Sequence, residues 1–93
     1  MRFKGEVAIV TGSSTGIGEA IALGFGHEEG NVVLAARSLE KLRSHADRIN
    51  ASGGTALALK TDISRLSDVE EMVKKTIQEF CRIDILVNNA AYT

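Results

Sequence analysis

Thr11-Gly12-Ser13-Ser14-Thr15-Gly16-Ile17-Gly18 follows directly on the apolar run Val7-Ala8-Ile9-Val10 and opens an amphipathic helical pattern. Strand, glycine turn and helix in that order suit the binding of phosphate groups. One glycine lets the chain turn sharply off the strand, and another keeps side chains away from a pyrophosphate. A third lets the helix sit close to a sheet. The helix start then offers unpaired N–H groups and the positive end of its dipole to an anion. Gly12, Ser14, Thr15, Gly16, Ile17 and Gly18 are therefore the candidate cofactor-binding residues of this turn. Three glycines are common in turns of every kind, so the rest of the chain has to decide.

Three further positions bear on the same ligand. About 20 residues beyond the glycines, a dinucleotide fold that takes NAD places an acid on the ribose 2′-hydroxyl. That region here reads Ala36-Arg37-Ser38 and holds no acid. Arg37 supplies a forked cation and Ser38 a hydroxyl donor, a pair that suits a 2′-phosphate. The plain alternative is that Arg37 is a solvated residue ahead of a helix. Asp62-Ile63 follows the third apolar run, where the carboxylate can accept from an adenine amino group and the isoleucine can cover the ring. An Asp at such a place is often just a turn or cap residue. Asn88-Asn89-Ala90-Ala91 closes the fourth run. Its small residues allow close approach of a cofactor, and its amides can satisfy backbone groups nearby.

The elements that must position these residues alternate without a break. Val7 to Val10 is a continuous apolar run, the mark of a strand covered on both faces. The first helix is expected to bury Ile17, Ala20, Ile21 and Gly24, with Glu28 at the rim and Gly30 as its stop. Val32 to Ala36 is the second strand. Ser38 caps a helix facing inward through Leu39, Leu42, Ala46 and Ile49, which ends at Gly53-Gly54. Thr55 to Lys60 is a less apolar strand, expected nearer an edge. Ser67-Asp68-Val69-Glu70 reads as a capping box for a helix with Val69, Met72, Val73, Ile77 and Phe80 on one stripe. Ile83 to Val87 is the fourth strand. Right-handed crossovers put the first two helices on one face and the third on the other, giving a parallel sheet of order 3-2-1-4. The ligand crevice of such a doubly wound α/β sheet lies at the switch point above the first strand.

Composition narrows the function classes. The 93 residues suffice for one small domain, and 44% hydrophobic content argues for a folded core. Eleven Lys and Arg against 12 Asp and Glu leave no basic patch for nucleic acid. No apolar stretch is long enough to span a bilayer, and the N-terminus has no signal-peptide core. A soluble, cytoplasmic protein is expected. Cys81 is the single cysteine, expected as a packed thiol, and no metal site is foreseen. His27 and His45 are expected at the surface, and the glycine turn lacks the Gly-Lys-Ser/Thr of a nucleoside-triphosphate loop.

Together these residues closely resemble the short-chain dehydrogenase/reductase family. The resemblance covers the whole chain and rests on Thr11-Gly-x-x-x-Gly16-x-Gly18, Asp62, and Ile83-Asp84-Ile85-Leu86-Val87-Asn88-Asn89-Ala90 in that order. It implies a Rossmann-type fold, with residues 1–93 as its dinucleotide-binding domain, truncated after strand four. Asn88 and Ala90 would line the adenosine and ribose side, and Arg37 would mark the NADP-preferring kind. Ala91 departs from the glycine usual in the family. The implied reaction is hydride transfer between NADP(H) and a carbonyl or alcohol.

The family's catalytic Ser and Tyr-x-x-x-Lys lie further along than residue 93, and nothing here takes those roles. Tyr92 is the only tyrosine and has no following Lys. The 93 residues are therefore expected to be inactive alone, weakly stable and prone to self-association. Substrate and homo-oligomer would belong to a full-length form. A non-catalytic nucleotide-binding or interaction module is the alternative reading.

Overall fold

A computed structural model describes residues 5–12 and 16–88, with the Ile17 side chain also outside the described set. Seven elements alternate along the chain: β1 (Val7–Thr11), α1 (Gly16–His27), β2 (Asn31–Ala36), α2 (Leu39–Ala51), β3 (Thr55–Lys60), α3 (Leu66–Phe80) and β4 (Ile85–Asn88). The four strands form one parallel sheet in the order β3-β2-β1-β4. Register is direct: Ile9 lies opposite Val33 and Leu86, and Val33 opposite Leu57. The expected doubly wound fold is present, with β3 at an edge. β4 starts at Ile85, two residues later than the apolar run suggests, because Ile83 turns into the α3-side core.

Alternation along the strands builds two separate cores. Ala8 and Val10 of β1 join Val32 and Leu34 of β2 under α1 and α2, where Ala22, Phe25, Leu42, Ala46 and Ile49 meet them. Ile9, Val33 and Ala35 face the other way, onto Met72 of α3, with Leu57, Val69 and Phe80 around them. The five residues of β1 are all buried, as a strand covered on both faces requires.

α1 corrects the expected face. Ala20 and Gly24 are exposed and Ile21 is 38% exposed, whereas Gly18, Ala22, Phe25 and Gly26 are buried. The spacing 18, 22, 25, 26 is as good a helical stripe as the one chosen from the sequence. It wins because its small residues let the helix sit close to its neighbours. A Cβ on Gly26 would overlap the Ile49 side chain of α2, and one on Gly54 would come within 2.5 Å of the Gly26 carbonyl oxygen. Nothing in the structure explains Gly24, where a Cβ meets no atom within 4 Å. Opposite outcomes are therefore expected at two glycines of one helix. Gly26→Val should destabilise by about 1–3 kcal/mol through overpacking. Gly24→Ala should stabilise by up to about 1 kcal/mol through helix propensity. Urea melts of the two variants against the parent check both signs.

The helix ends also differ from expectation. The left-handed residue after α1 is Glu29, at φ 66°, and Gly30 instead makes room for the Phe25 ring. Ser38 stands at the N-cap of α2 but makes no side-chain capping bond. α3 begins two residues early, with Arg65 as N-cap, so Ser67 lies inside the helix and forms no capping box. The reason is Asp68, whose carboxylate turns back to accept the N–H of Asp62 at 2.9 Å. On α3 the buried positions are Met72 and Thr76, while Val73 and Ile77 are 40% and 44% exposed. Thr76 is accommodated because its hydroxyl donates to the Met72 carbonyl at 2.8 Å. Cys81 is exposed, not packed, because it occupies the left-handed position that ends α3. His45 is not a surface residue either. Its side chain is 12% exposed, with Nδ1 3.6 Å from Glu19 of α1.

At the N-terminal end of the sheet, Asp84 fastens β4 to β1. Its Oδ2 accepts the Val7 N–H at 2.8 Å and the Arg82 Nε–H at 2.8 Å. Its Oδ1 accepts from Arg82 Nη2 at 2.6 Å, and the Asp84 N–H donates to the Val7 carbonyl at 2.9 Å. The Arg82 bonds first, and the Val7 N–H second, hold the Asp84 carboxyl below the ordinary aspartate value of 3.8. A folded-state pKa below the unfolded one adds stability above the unfolded value, lost as pH falls through the folded value. Asp84→Asn should therefore lower the melting temperature at pH 7. The gap between variant and parent should narrow as pH falls below about 4. Melts at pH 7, 5 and 3 measure it, and a gap constant with pH would contradict this role for Asp84.

Candidate functional site

Because all four strands are parallel, Thr11, Ala36, Lys60 and Asn88 end on the same edge of the sheet. The loops leaving that edge are tied to neighbouring strands. The Gly12 N–H donates to the Ala35 carbonyl and the Thr61 N–H to the Ala36 carbonyl, both at 2.8 Å. β1 also reaches β4, since the Thr11 hydroxyl lies 3.2 Å from both the Val87 carbonyl and Asn88 Oδ1. Thr11 is 4% exposed; it heads the glycine motif in the sequence but was given no role in the site there. Its place at the last position of a buried strand was the available signal.

The glycine turn has the geometry that glycine permits. Gly12 and Gly16 have φ of 66° and 64°, a left-handed conformation that costs a side-chain-bearing residue about 1–2 kcal/mol. Among the described residues, a Cβ on Gly16 would meet no heavy atom within 4 Å. Gly18 is buried against the fold, as close packing of helix and sheet requires. Ser14, Thr15 and Ala90 lie outside the described residues. Ile17 is described only as backbone within α1.

Arg37 and Ser38 stand directly beyond β2. Arg37 is exposed and forms no ion pair or hydrogen bond among the described residues. Ser38 is half-buried, with its hydroxyl not used as a cap. Ile63, half-buried, follows Asp62 beyond β3. Asp62 Oδ1 accepts both the hydroxyl of Ser64 at 2.6 Å and its N–H at 3.0 Å. Those two bonds, in that order, hold the Asp62 carboxyl below 3.8, with smaller help from the Arg37 and Arg65 charges. Asp62 is thus an ionised acceptor at neutral pH, lying within electrostatic reach of Arg37. Ser64 and Asp68 were missed as parts of this site. The Asp-x-Ser spacing of a side-chain-closed turn was a usable signal for Ser64, whereas Asp68 is recruited only once α3 has formed.

The residue set is compatible with a dinucleotide. Gly12 and Gly16 flank the start of a 12-residue helix, and a guanidinium without a partner among the described residues lies at the end of the neighbouring strand. Comparison with known proteins agrees, for a family model described as short chain dehydrogenase matches residues 6–93. The chain belongs to the short-chain dehydrogenase family. A 42% identical relative over 97% of the chain is the (2S)-[(R)-hydroxy(phenyl)methyl]succinyl-CoA dehydrogenase subunit BbsD of Thauera aromatica. An uncharacterized oxidoreductase of Listeria innocua is 39% identical over the same share. The chain spans 36% of the length of each, about a third.

Among solved structures, a metagenomic short-chain oxidoreductase in complex with NADP superposes with a TM-score of 0.93. Identity is 40%, over 99% of this chain and 42% of the other. The glucose dehydrogenase of Caenorhabditis elegans in its apo-form gives 0.91 at 35% identity, over all of this chain and 40% of the other. This short-chain dehydrogenase chain therefore carries the Rossmann-type nucleotide-binding portion of an oxidoreductase family. No helix among its described residues is long and apolar enough to cross a membrane.

Proposed function

We propose that residues 1–93 form a dinucleotide-binding unit that takes NADP(H) in preference to NAD(H). The observation that carries this reading is Arg37, an exposed guanidinium without a partner among the described residues, where an NAD-binding fold has an acid. A fixed fork of N–H donors matches a phosphate better than it matches a ribose diol.

Each residue then has a task. Gly12, Ser14, Thr15, Gly16, Ile17 and Gly18 surround the pyrophosphate, with backbone N–H groups of the α1 start donating to it. Arg37 and Ser38 hold the 2′-phosphate. Asp62 accepts from the adenine amino group and Ile63 covers the ring. Asn88 and Ala90 line the ribose, with Thr11 fixing Asn88 through its hydroxyl. When bound, the nicotinamide supplies or accepts the hydride. The substrate class that follows is a carbonyl or alcohol, handled by the complete protein. Competition by adenosine fragments tests the reading. Adenosine 2′,5′-bisphosphate should displace NADPH with at least about tenfold lower inhibition constant than 5′-AMP, the value of a hydrogen bond to a charged group. Equal displacement by the two would remove the 2′-phosphate role.

A further inference from the structure

We infer that Ser64 and Asp68 are positioning residues that make the site selective for adenine over other purine bases. They do so by fixing Asp62 with one oxygen spoken for and the other open. The inference rests on the dinucleotide reading above.

The Asp62–Asp68 segment forms a closed set of bonds. The Ser64 hydroxyl and N–H both donate to Asp62 Oδ1, at 2.6 and 3.0 Å. The Asp62 N–H donates to Asp68 Oδ2 at 2.9 Å, while the Arg65 N–H donates to the Asp62 carbonyl at 2.9 Å. The Asp68 N–H returns to the Arg65 carbonyl at 3.1 Å. Backbone and side chain of Asp62 are thus held from both sides, and the segment is anchored to β2 through Thr61. Oδ2 accepts no hydrogen bond among the described residues. A free aspartate would spread its two oxygens over several rotamers. This one offers a single ionised acceptor in a set place, and the ordering entropy is met before any ligand arrives.

Such an acceptor discriminates between bases. Adenine presents an amino group that donates to it. Hypoxanthine presents a carbonyl oxygen at the same ring carbon, and two acceptors facing each other repel. Selectivity between the two bases therefore depends on Asp62 being held still, and Ser64 supplies two of its bonds.

Titration of the full chain with NADPH and with its hypoxanthine analogue, followed by reduced-nicotinamide fluorescence, tests this. The parent should bind NADPH about tenfold tighter than the analogue, the value of one charge-assisted hydrogen bond. Ser64→Ala should bring that ratio to about two or less while affinity for the analogue stays the same. Ser64→Thr, which keeps the hydroxyl, should retain the parent ratio, and Asp68→Ala should lower it as Ser64→Ala does. A loss of folding would weaken both ligands together and would not move the ratio. Binding of both dinucleotides at equal strength by the parent, or an unchanged ratio in a Ser64→Ala chain that keeps the parent's affinity for the analogue, overturns the inference and leaves the cofactor reading standing. Binding of neither overturns both.

Discussion

Arg37→Asp is expected to invert cofactor preference, with the NADPH-to-NADH affinity ratio falling by about two orders of magnitude. Two changes add. Removing the guanidinium takes away a charge-assisted contact worth about 1.5–3 kcal/mol, at the lower end here because Arg37 is exposed. The introduced carboxylate then repels a 2′-phosphate and accepts from a ribose 2′-hydroxyl instead. Each step is worth about tenfold. Arg37→Gln separates the contributions, since it removes the attraction without adding the repulsion. Unchanged preference in Arg37→Asp would return Arg37 to the role of a solvated residue ahead of α2.

Gly16→Val is expected to abolish measurable dinucleotide binding, a loss of at least about a hundredfold. The position has φ 64°, so any side chain there strains the turn by about 1–3 kcal/mol. The new methyl groups would also project beside the start of α1, where the proposed function puts the pyrophosphate. Gly16 is exposed, so the fold should survive the change, and a thermal melt alongside the titration verifies that. Gly18→Val should lose binding by another route. Gly18 is buried, and added bulk there would push α1 off the sheet. Full NADPH affinity in Gly16→Val would mean that the phosphates bind elsewhere.

The two variants probe the features that were easiest to read from the sequence. A strand covered on both faces must be apolar throughout, so Val7–Val10 and Val32–Ala36 announce themselves, and three crossovers of fixed hand leave one sensible strand order. The glycines carry their geometry in their type. Side-chain partnerships were less visible. α1 has two interleaved stripes, and the sequence reading took the one through Ile17, Ala20, Ile21 and Gly24. Close packing against Ile49 and Gly54 reversed that preference, and Ile49 and Gly54 are far away in the chain. Likewise Ser67 offered a good capping box. What decided the start of α3 was Asp68 finding the Asp62 backbone, a contact that exists only after the loop has closed. His45 meets Glu19 across two helices, beyond the reach of any local pattern.

The central claim is that this edge of the sheet binds a dinucleotide carrying a 2′-phosphate, with Arg37 as its reader. Parallel titrations of the chain with NADPH and NADH, at low and at physiological ionic strength, test it most directly. Saturable binding is expected for both, with NADPH at least about tenfold tighter at low salt. That advantage should narrow as salt screens the exposed Arg37 charge. Equal affinities at low salt, or an NADPH advantage that persists in the Arg37→Gln variant, would contradict the account.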